Sequence, residues 1–188
     1  MKDHQRKAIE LARQKIALKP VYLDTETTGF GNMDVVVEVA VIDWDGSLLF
    51  ESLVKPNISI PAGATAVHHI TDATVAFSPK WNIVWPDVKK VLEGKVLAAY
   101  NTEFDVRMLA QSCGLNGIKW EPPYSDQLDV MKIFAMYYGE VDTRKFGYRY
   151  KKLEFAGMHL GMPEPNSHRA KDDAILTRLV LEKLASLA

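Results

Sequence analysis

The chain has 188 residues, 47% of them hydrophobic and 25% charged, with a formal net charge of −1, so it suits one domain with a real core. The missing basic excess argues against coating duplex nucleic acid by counterion release, but not against an enzyme whose acidic groups are masked by cations. No apolar run approaches the roughly 18 residues that span a bilayer, which argues against a membrane role.

The start, MKDHQRKAIELARQKIALKP, is too polar for a signal peptide. The single cysteine, Cys113, rules out an internal disulfide and a cysteine-built zinc site. It reads as a structural thiol, and a cytoplasmic location is expected.

Residues 3–18 read as a helix, with Ile9, Ala12 and Ile16 at helical spacing and Pro20 marking its end. It is set apart as an extension over residues 1–19, before a strand-rich domain over 20–188. Val21–Asp24 is a short apolar strand. Val35–Ile42 and Ser47–Lys55 follow as strands, split by the hairpin signal Asp43-Trp44-Asp45-Gly46. Residues 56–79 read as a long surface loop. Trp81–Leu92 is a helix whose Trp81 and Trp85, four apart, belong to the core. Val96–Tyr100 is a strand, and Glu103–Cys113 a helix with Phe104, Met108 and Leu109 along one side. A short strand near Tyr124–Asp126 runs into a helix, Gln127–Tyr138. Helices over Lys152–Leu160 and Ala170–Leu187 complete the chain. Three hairpin-connected strands followed by alternating strands and helices call for an α/β sandwich with a mixed sheet.

Three places carry candidate chemistry. In Asp24-Thr25-Glu26, strand alternation puts both carboxylates on one face with Thr25 opposite, about 7 Å apart by strand geometry. Such a pair needs a cation between its members or a proton on one, and hard oxygen ligands favour Mg²⁺ or Mn²⁺. A solvated strand end would read the same way. In Asn101-Thr102-Glu103-Phe104-Asp105, Asn101 or Thr102 can cap the helix, and Asp105 falls in its first turn, where negative charge is favoured. Third is His168-Arg169-Ala170-Lys171-Asp172-Asp173. Five residues turn a helix by about 140° past a full turn, so His168 and Asp173 converge only if His168 lies in the preceding loop. Helical periodicity does not choose between Asp172 and Asp173.

Taken in order, Asp24-x-Glu26 with Thr-Thr-Gly, Asn101-x-x-Phe104-Asp105 and His168-x₄-Asp173 resemble the three motifs of the DEDDh exonucleases. This is the family of the proofreading subunit of bacterial replicative DNA polymerase, and the resemblance covers about residues 20–187. It implies a ribonuclease H-like fold, with a five-stranded sheet of three antiparallel strands and then two parallel ones, flanked by helices. It implies 3′→5′ release of nucleoside 5′-monophosphates. Asp24, Glu26, Asp105 and Asp173 become the ligands of two Mg²⁺ or Mn²⁺ ions, and the family's spacing selects Asp173 over Asp172. A metal pair about 4 Å apart suits in-line displacement at phosphorus. His168 becomes the general base. Thr27, Thr28, Gly29, His68 and Asn101 are implied to lie at the terminal nucleotide. One departure is Tyr100, where many members carry His.

Residues 144–152 hold five cations and three aromatics. They read either as a grip on phosphates and unpaired bases or as a solvated basic loop. Single-stranded DNA ends are the expected substrate, with a DNA polymerase as a partner left open. The alternatives are trimming of short RNA and a non-catalytic, polymerase-associated binding module.

Overall fold

A computed structural model describes residues 1–143, 147–162 and 168–188. Helix α1 (Asp3–Ile16) precedes the strands β1 (Val21–Thr27), β2 (Val36–Ile42) and β3 (Leu48–Leu53). Helices α2 (Ala62–His68) and α3 (Trp81–Leu92), strand β4 (Val96–Ala99) and helix α4 (Thr102–Leu115) come next. Strand β5 (Asp126–Asp129) leads into α5 (Val130–Tyr138), and α6 (Leu153–His159) and α7 (Ala170–Ser186) end the chain. The strands form one sheet in the order β3-β2-β1-β4-β5. Pairing is antiparallel from β1 to β2 and from β2 to β3, and parallel from β1 to β4 and from β4 to β5. The expected mixed sheet is therefore present.

Strand alternation distributes the core. Tyr22 faces one side, with Ala8, Phe134, Ala156 and Val180 from α1, α5, α6 and α7. Val21 and Leu23 face the other, with Trp81, Val88, Met108 and Leu109 from α3 and α4. Every residue of β2 is buried, because helices cover both faces of that strand, and its sequence is accordingly almost unbroken Val, Ala and Ile. Glu38 is the exception, buried in the middle of that run.

Several boundaries differ from the sequence reading. The stretch expected to be loop, 56–79, contains α2. This seven-residue helix starts after Pro61 and ends at His69 in a left-handed conformation. Its residues Ala-Gly-Ala-Thr-Ala-Val-His lack an apolar stripe, so periodicity missed it. Strand β1 runs three residues past Asp24, and β5 begins at Asp126 rather than near Tyr124, with α5 starting only at Val130. Asn101 occupies the N-cap position of α4 without a capping side-chain bond, and the Thr102 hydroxyl donates to the carbonyls of Ala99 (3.2 Å) and Leu128 (2.6 Å). Neither side chain is a conventional cap.

Helix α1 packs against α5 and α7 through buried Ala8 and Ala12, whose small side chains allow close approach. Arg13 donates to the carbonyls of Ala185 (3.0 Å) and Leu187 (2.5 Å), satisfying groups at the end of α7. Among the described residues no helix is long and apolar enough to cross a membrane.

Candidate active site

The site lies where the carboxyl end of β1 meets the amino ends of α4 and α7. Asp24 and Glu26 share the β1 face that α7 covers. In the neighbouring strand Asp24 lies opposite Ala40, and Glu26 opposite Glu38. Asp173, in the first turn of α7, completes the group: one carboxylate oxygen from each of Asp24, Glu26 and Asp173 lies within 4.8 Å of the others. Asp173 is buried while Asp172 is exposed, so packing makes the choice that periodicity could not.

Asp105 arrives from the opposite face. It is buried on α4 and accepts a hydrogen bond from the Thr25 hydroxyl at 2.8 Å. Thr25, the residue that alternation turned away from the carboxylate pair, thus positions the fourth carboxylate. Asp105 stands outside the three-oxygen cluster, yet among the neighbouring carboxylates it acts most strongly on Asp24.

Burial and neighbouring charges shift Asp24, Glu26 and Asp105 toward the protonated form. Asp24 is driven well above the ordinary carboxylate range by desolvation, then by the charges of Asp105, Asp173 and Glu26. Glu26 is pushed to about 9 by desolvation and then by Asp173 and Glu38. Asp105 rises to about 7 through burial, partly offset by the bond from Thr25. Four carboxylates that cannot all ionise together make a donor set fitted to hard divalent cations, which would restore the charge balance.

The supporting residues were not singled out by the sequence. Glu38 accepts from Arg169 Nε (3.1 and 3.0 Å to its two oxygens), from Arg169 Nη2, and from the backbone N–H of Ala170 at 2.9 Å. A carboxylate from β2 therefore satisfies the first N–H of α7, where the helix end favours negative charge. This fixes the turn carrying His168 and Asp173 against the sheet. The signal was available: a charged residue inside a fully apolar strand needs a buried partner.

Asp34 has a similar role in the loop after β1. It accepts from the Thr28 hydroxyl (2.8 Å) and from Gly31 N–H (2.6 Å), and a Cβ on Gly29 would lie 2.7 Å from its Oδ2. Gly29 is thus required by close packing. The Thr27 hydroxyl donates to Gly29 O at 2.9 Å, closing the loop on itself. His68, buried at the end of α2, accepts from Ile70 N–H at Nδ1 (3.0 Å) and so donates through Nε2 to Thr27 O (3.2 Å). Burial lowers its pKa and keeps it neutral.

His168 lies in the loop before α7, in a left-handed conformation (φ 51°). Its Nε2 pairs with Glu154 Oε1 of α6 at 3.1 Å. Asp24, Asp173, Asn101, His168, Phe30 and Tyr150 are among the residues lining an open cleft of about 490 Å³. A larger cavity of about 670 Å³ lies between α1, α4 and α5. Its acids and bases are mixed in sign, with Asp129 paired to Lys132 at 3.5 Å, and it contains no clustered carboxylates.

Three residues outside the site match their expected roles. Trp81 and Trp85 are buried and stacked, and Trp81 Nε1 donates to the buried Cys113 Sγ at 3.3 Å. Of the basic-aromatic segment 144–152, residues 144–146 lie outside the described residues.

A family model described as exonuclease, RNase_T, matches residues 21–181. An uncharacterized exonuclease of Escherichia phage 186, CP81, is 34% identical over 171 residues, 88% of this chain and 87% of that protein. The DNA polymerase III epsilon subunit of Treponema pallidum is 28% identical over 155 residues, 80% of this chain and 69% of the subunit. Among solved structures, the nuclease domain of 3′hExo, a DEDDh family member bound to rAMP, superposes with a TM-score of 0.68. It is 19% identical, over 85% of this chain and 88% of that one. The chain belongs to the exonuclease family, with the ribonuclease H-like fold of its DEDDh members, and is a 3′→5′ exonuclease acting on nucleic acid.

Proposed function

We propose that the chain removes nucleoside 5′-monophosphates one at a time from the 3′ ends of single-stranded DNA. Asp24, Glu26, Asp105 and Asp173 would hold two divalent ions, Mg²⁺ or Mn²⁺. The observation that carries this reading is the convergence of three carboxylates within 4.8 Å, from two elements far apart in sequence, with Asp105 beside them. When bound, the ions supply stabilisation of the charge that develops on the phosphate oxygens.

The protein's own groups do the rest. His168 accepts a proton from the attacking water. The pairing of its Nε2 with Glu154 orients the ring at the edge of the cleft. Thr27, Thr28 and Gly29 form the loop against which the terminal nucleotide rests, and His68 holds that loop through the Thr27 carbonyl. Asn101 lines the cleft beside Asp24. Residues 1–19 are an extension of the exonuclease domain, a division supported by the family match beginning at residue 21. DNA as substrate, and a DNA polymerase as partner, are supported by the likeness to the epsilon subunit.

The test uses end-labelled single-stranded DNA and RNA of equal sequence with Mg²⁺, Mn²⁺ or EDTA. Mononucleotides should leave the 3′ end of DNA faster than of RNA, and EDTA or Asp24→Ala should stop the reaction. His168→Ala should lower the rate by at least about 100-fold, the low end for loss of a general base, with metal binding retained. Undiminished activity in Asp24→Ala would remove the carboxylates from the mechanism. Faster release from RNA would reassign the substrate.

A further inference from the structure

We propose that residues 150–152 form a strap that binds the single strand as it leaves the carboxylate site, with Lys152 on a backbone phosphate and Tyr150 under an unpaired base. The proposal rests on the exonuclease reading and adds to it a substrate-binding site outside the family motifs.

The strap is held in place from three directions. Tyr100, at the end of β4, donates its hydroxyl to Lys151 O at 2.8 Å, with Lys152 O at 3.3 Å. Burial raises the Tyr100 pKa far above its ordinary value, so the phenol remains a donor. Lys151 Nζ pairs with Glu140 Oε2 at 2.5 Å, and it lies 4.9 Å from the Tyr138 ring centre and 5.4 Å from that of Phe155. Arg149 donates its backbone N–H to Glu140 O (2.8 Å) and its guanidinium to Glu140 Oε1 (3.0 Å). Glu140 thus balances two of the segment's cations, which leaves them little for a ligand.

The third cation is different. All three residues of the strap line the cleft that contains Asp24 and Asp173. The Lys151 ammonium, however, is engaged by Glu140 and the Tyr138 and Phe155 rings, which leaves Tyr150 and Lys152 as the groups open to a ligand. Tyr150 is 56% exposed, and Lys152 has no ion-pair partner among the described residues. A cation and an aromatic ring two residues apart, fixed at the mouth of an acidic cleft, match the phosphate-and-base repeat of an unpaired strand. Lys152 also supplies, beside the carboxylates, a positive charge that Glu140 does not neutralise. Tyr100 is the positioning residue, through its hydroxyl on the Lys151 carbonyl.

The experiment measures the affinity of the full chain for fluorescein-labelled oligothymidylate and oligouridylate, by anisotropy with Ca²⁺ at several salt concentrations. Lys152→Ala should weaken binding about tenfold and reduce the slope of log affinity against log salt by about 0.7, the share of one phosphate on a single strand. Tyr150→Ala should weaken it about tenfold, the size of one base–aromatic stack, with the salt slope kept. Tyr100→Phe should weaken both probes, Lys152→Arg should retain affinity and slope, and the exposed control Lys89→Ala should bind as wild type. Unchanged affinity in both Lys152→Ala and Tyr150→Ala overturns the strap, as does failure of the wild type to bind either probe. Hydrolysis of a nitrophenyl ester of thymidine 5′-monophosphate, which has one phosphate and no second nucleotide for the strap to hold, is followed in parallel with Mn²⁺. Absence of that hydrolysis in the wild type counts against the exonuclease reading, while the affinities still decide the strap.

Discussion

Asp24→Asn should abolish exonuclease activity and yet stabilise the protein in the absence of metal. The oxygens of Asp24, Glu26 and Asp173 lie within 4.8 Å of one another, and at an effective dielectric of about 20 two full charges at that spacing repel by about 3.5 kcal/mol. Asp24 is acted on by four other carboxylates, those of Asp105, Asp173, Glu26 and Glu38. Not all are ionised at once, since Glu26 is held up to about 9, and Asp24 and Glu26 are only part-buried. The net gain from removing one charge is therefore set at about 1–3 kcal/mol near pH 8, after discounting for solvent screening. For a chain of this size that raises Tm by about 3–9 °C.

The sign follows from linkage. Glu26 moves from an ordinary 4.5 to about 9 on folding, and Asp105 from 3.8 to about 7, so the native state holds protons that the unfolded state releases. Metal-free stability is then fully present below the unfolded values and is lost as pH rises through the folded ones. The advantage of Asp24→Asn should grow over the same window and be small near pH 5. Divalent metal should reverse the order, because the wild type gains stability from an ion that the variant binds poorly. Thermal melts by circular dichroism in EDTA at low and high pH, repeated with Mn²⁺, read all three effects. An Asp24→Asn melting point at or below wild type in EDTA at high pH, or a difference independent of pH, would refute the crowding argument.

Two further outcomes follow from packing. Arg169→Gln should cost about 3–5 kcal/mol in urea titration, because it leaves the Glu38 carboxylate buried without its counter-ion, whereas Glu38→Gln should cost less. The Glu38 side chain is 2% exposed and that of Arg169 43%, so water can solvate one orphan and not the other; the reverse ranking would contradict this. Gly139→Ala should destabilise by about 1–3 kcal/mol, since Gly139 sits at φ 77° and an added Cβ would lie 2.1 Å from the His4 ring. Part of that loss should vanish in a His4→Ala background, and fully additive losses would show that the ring is not the obstacle.

Much of the site is local and therefore legible in the chain. Alternation along Val21–Glu26 places Asp24 and Glu26 on one face, and the first turn of the helix after β4 places Asp105 near a strand end. These relations depend on periods of 2 and 3.6 residues alone, while the family's spacing selects Asp173 over Asp172. The apolar runs of β2 and β4 and the hairpin at Asp45-Gly46 are similarly local, so the mixed sheet could be read. Helix α2 could not, because a seven-residue segment without an apolar stripe has no periodic signal. The choice of Asp173 over Asp172, the Thr25 bond that brings Asp105 in from the other face, and the Glu38–Arg169 pair all join residues distant in sequence. Each is fixed by which groups burial forces together and which buried charges must then find partners. Sequence determined the carboxylates and their helices and strands; the tertiary structure decided which of them converge, and which residues hold them there.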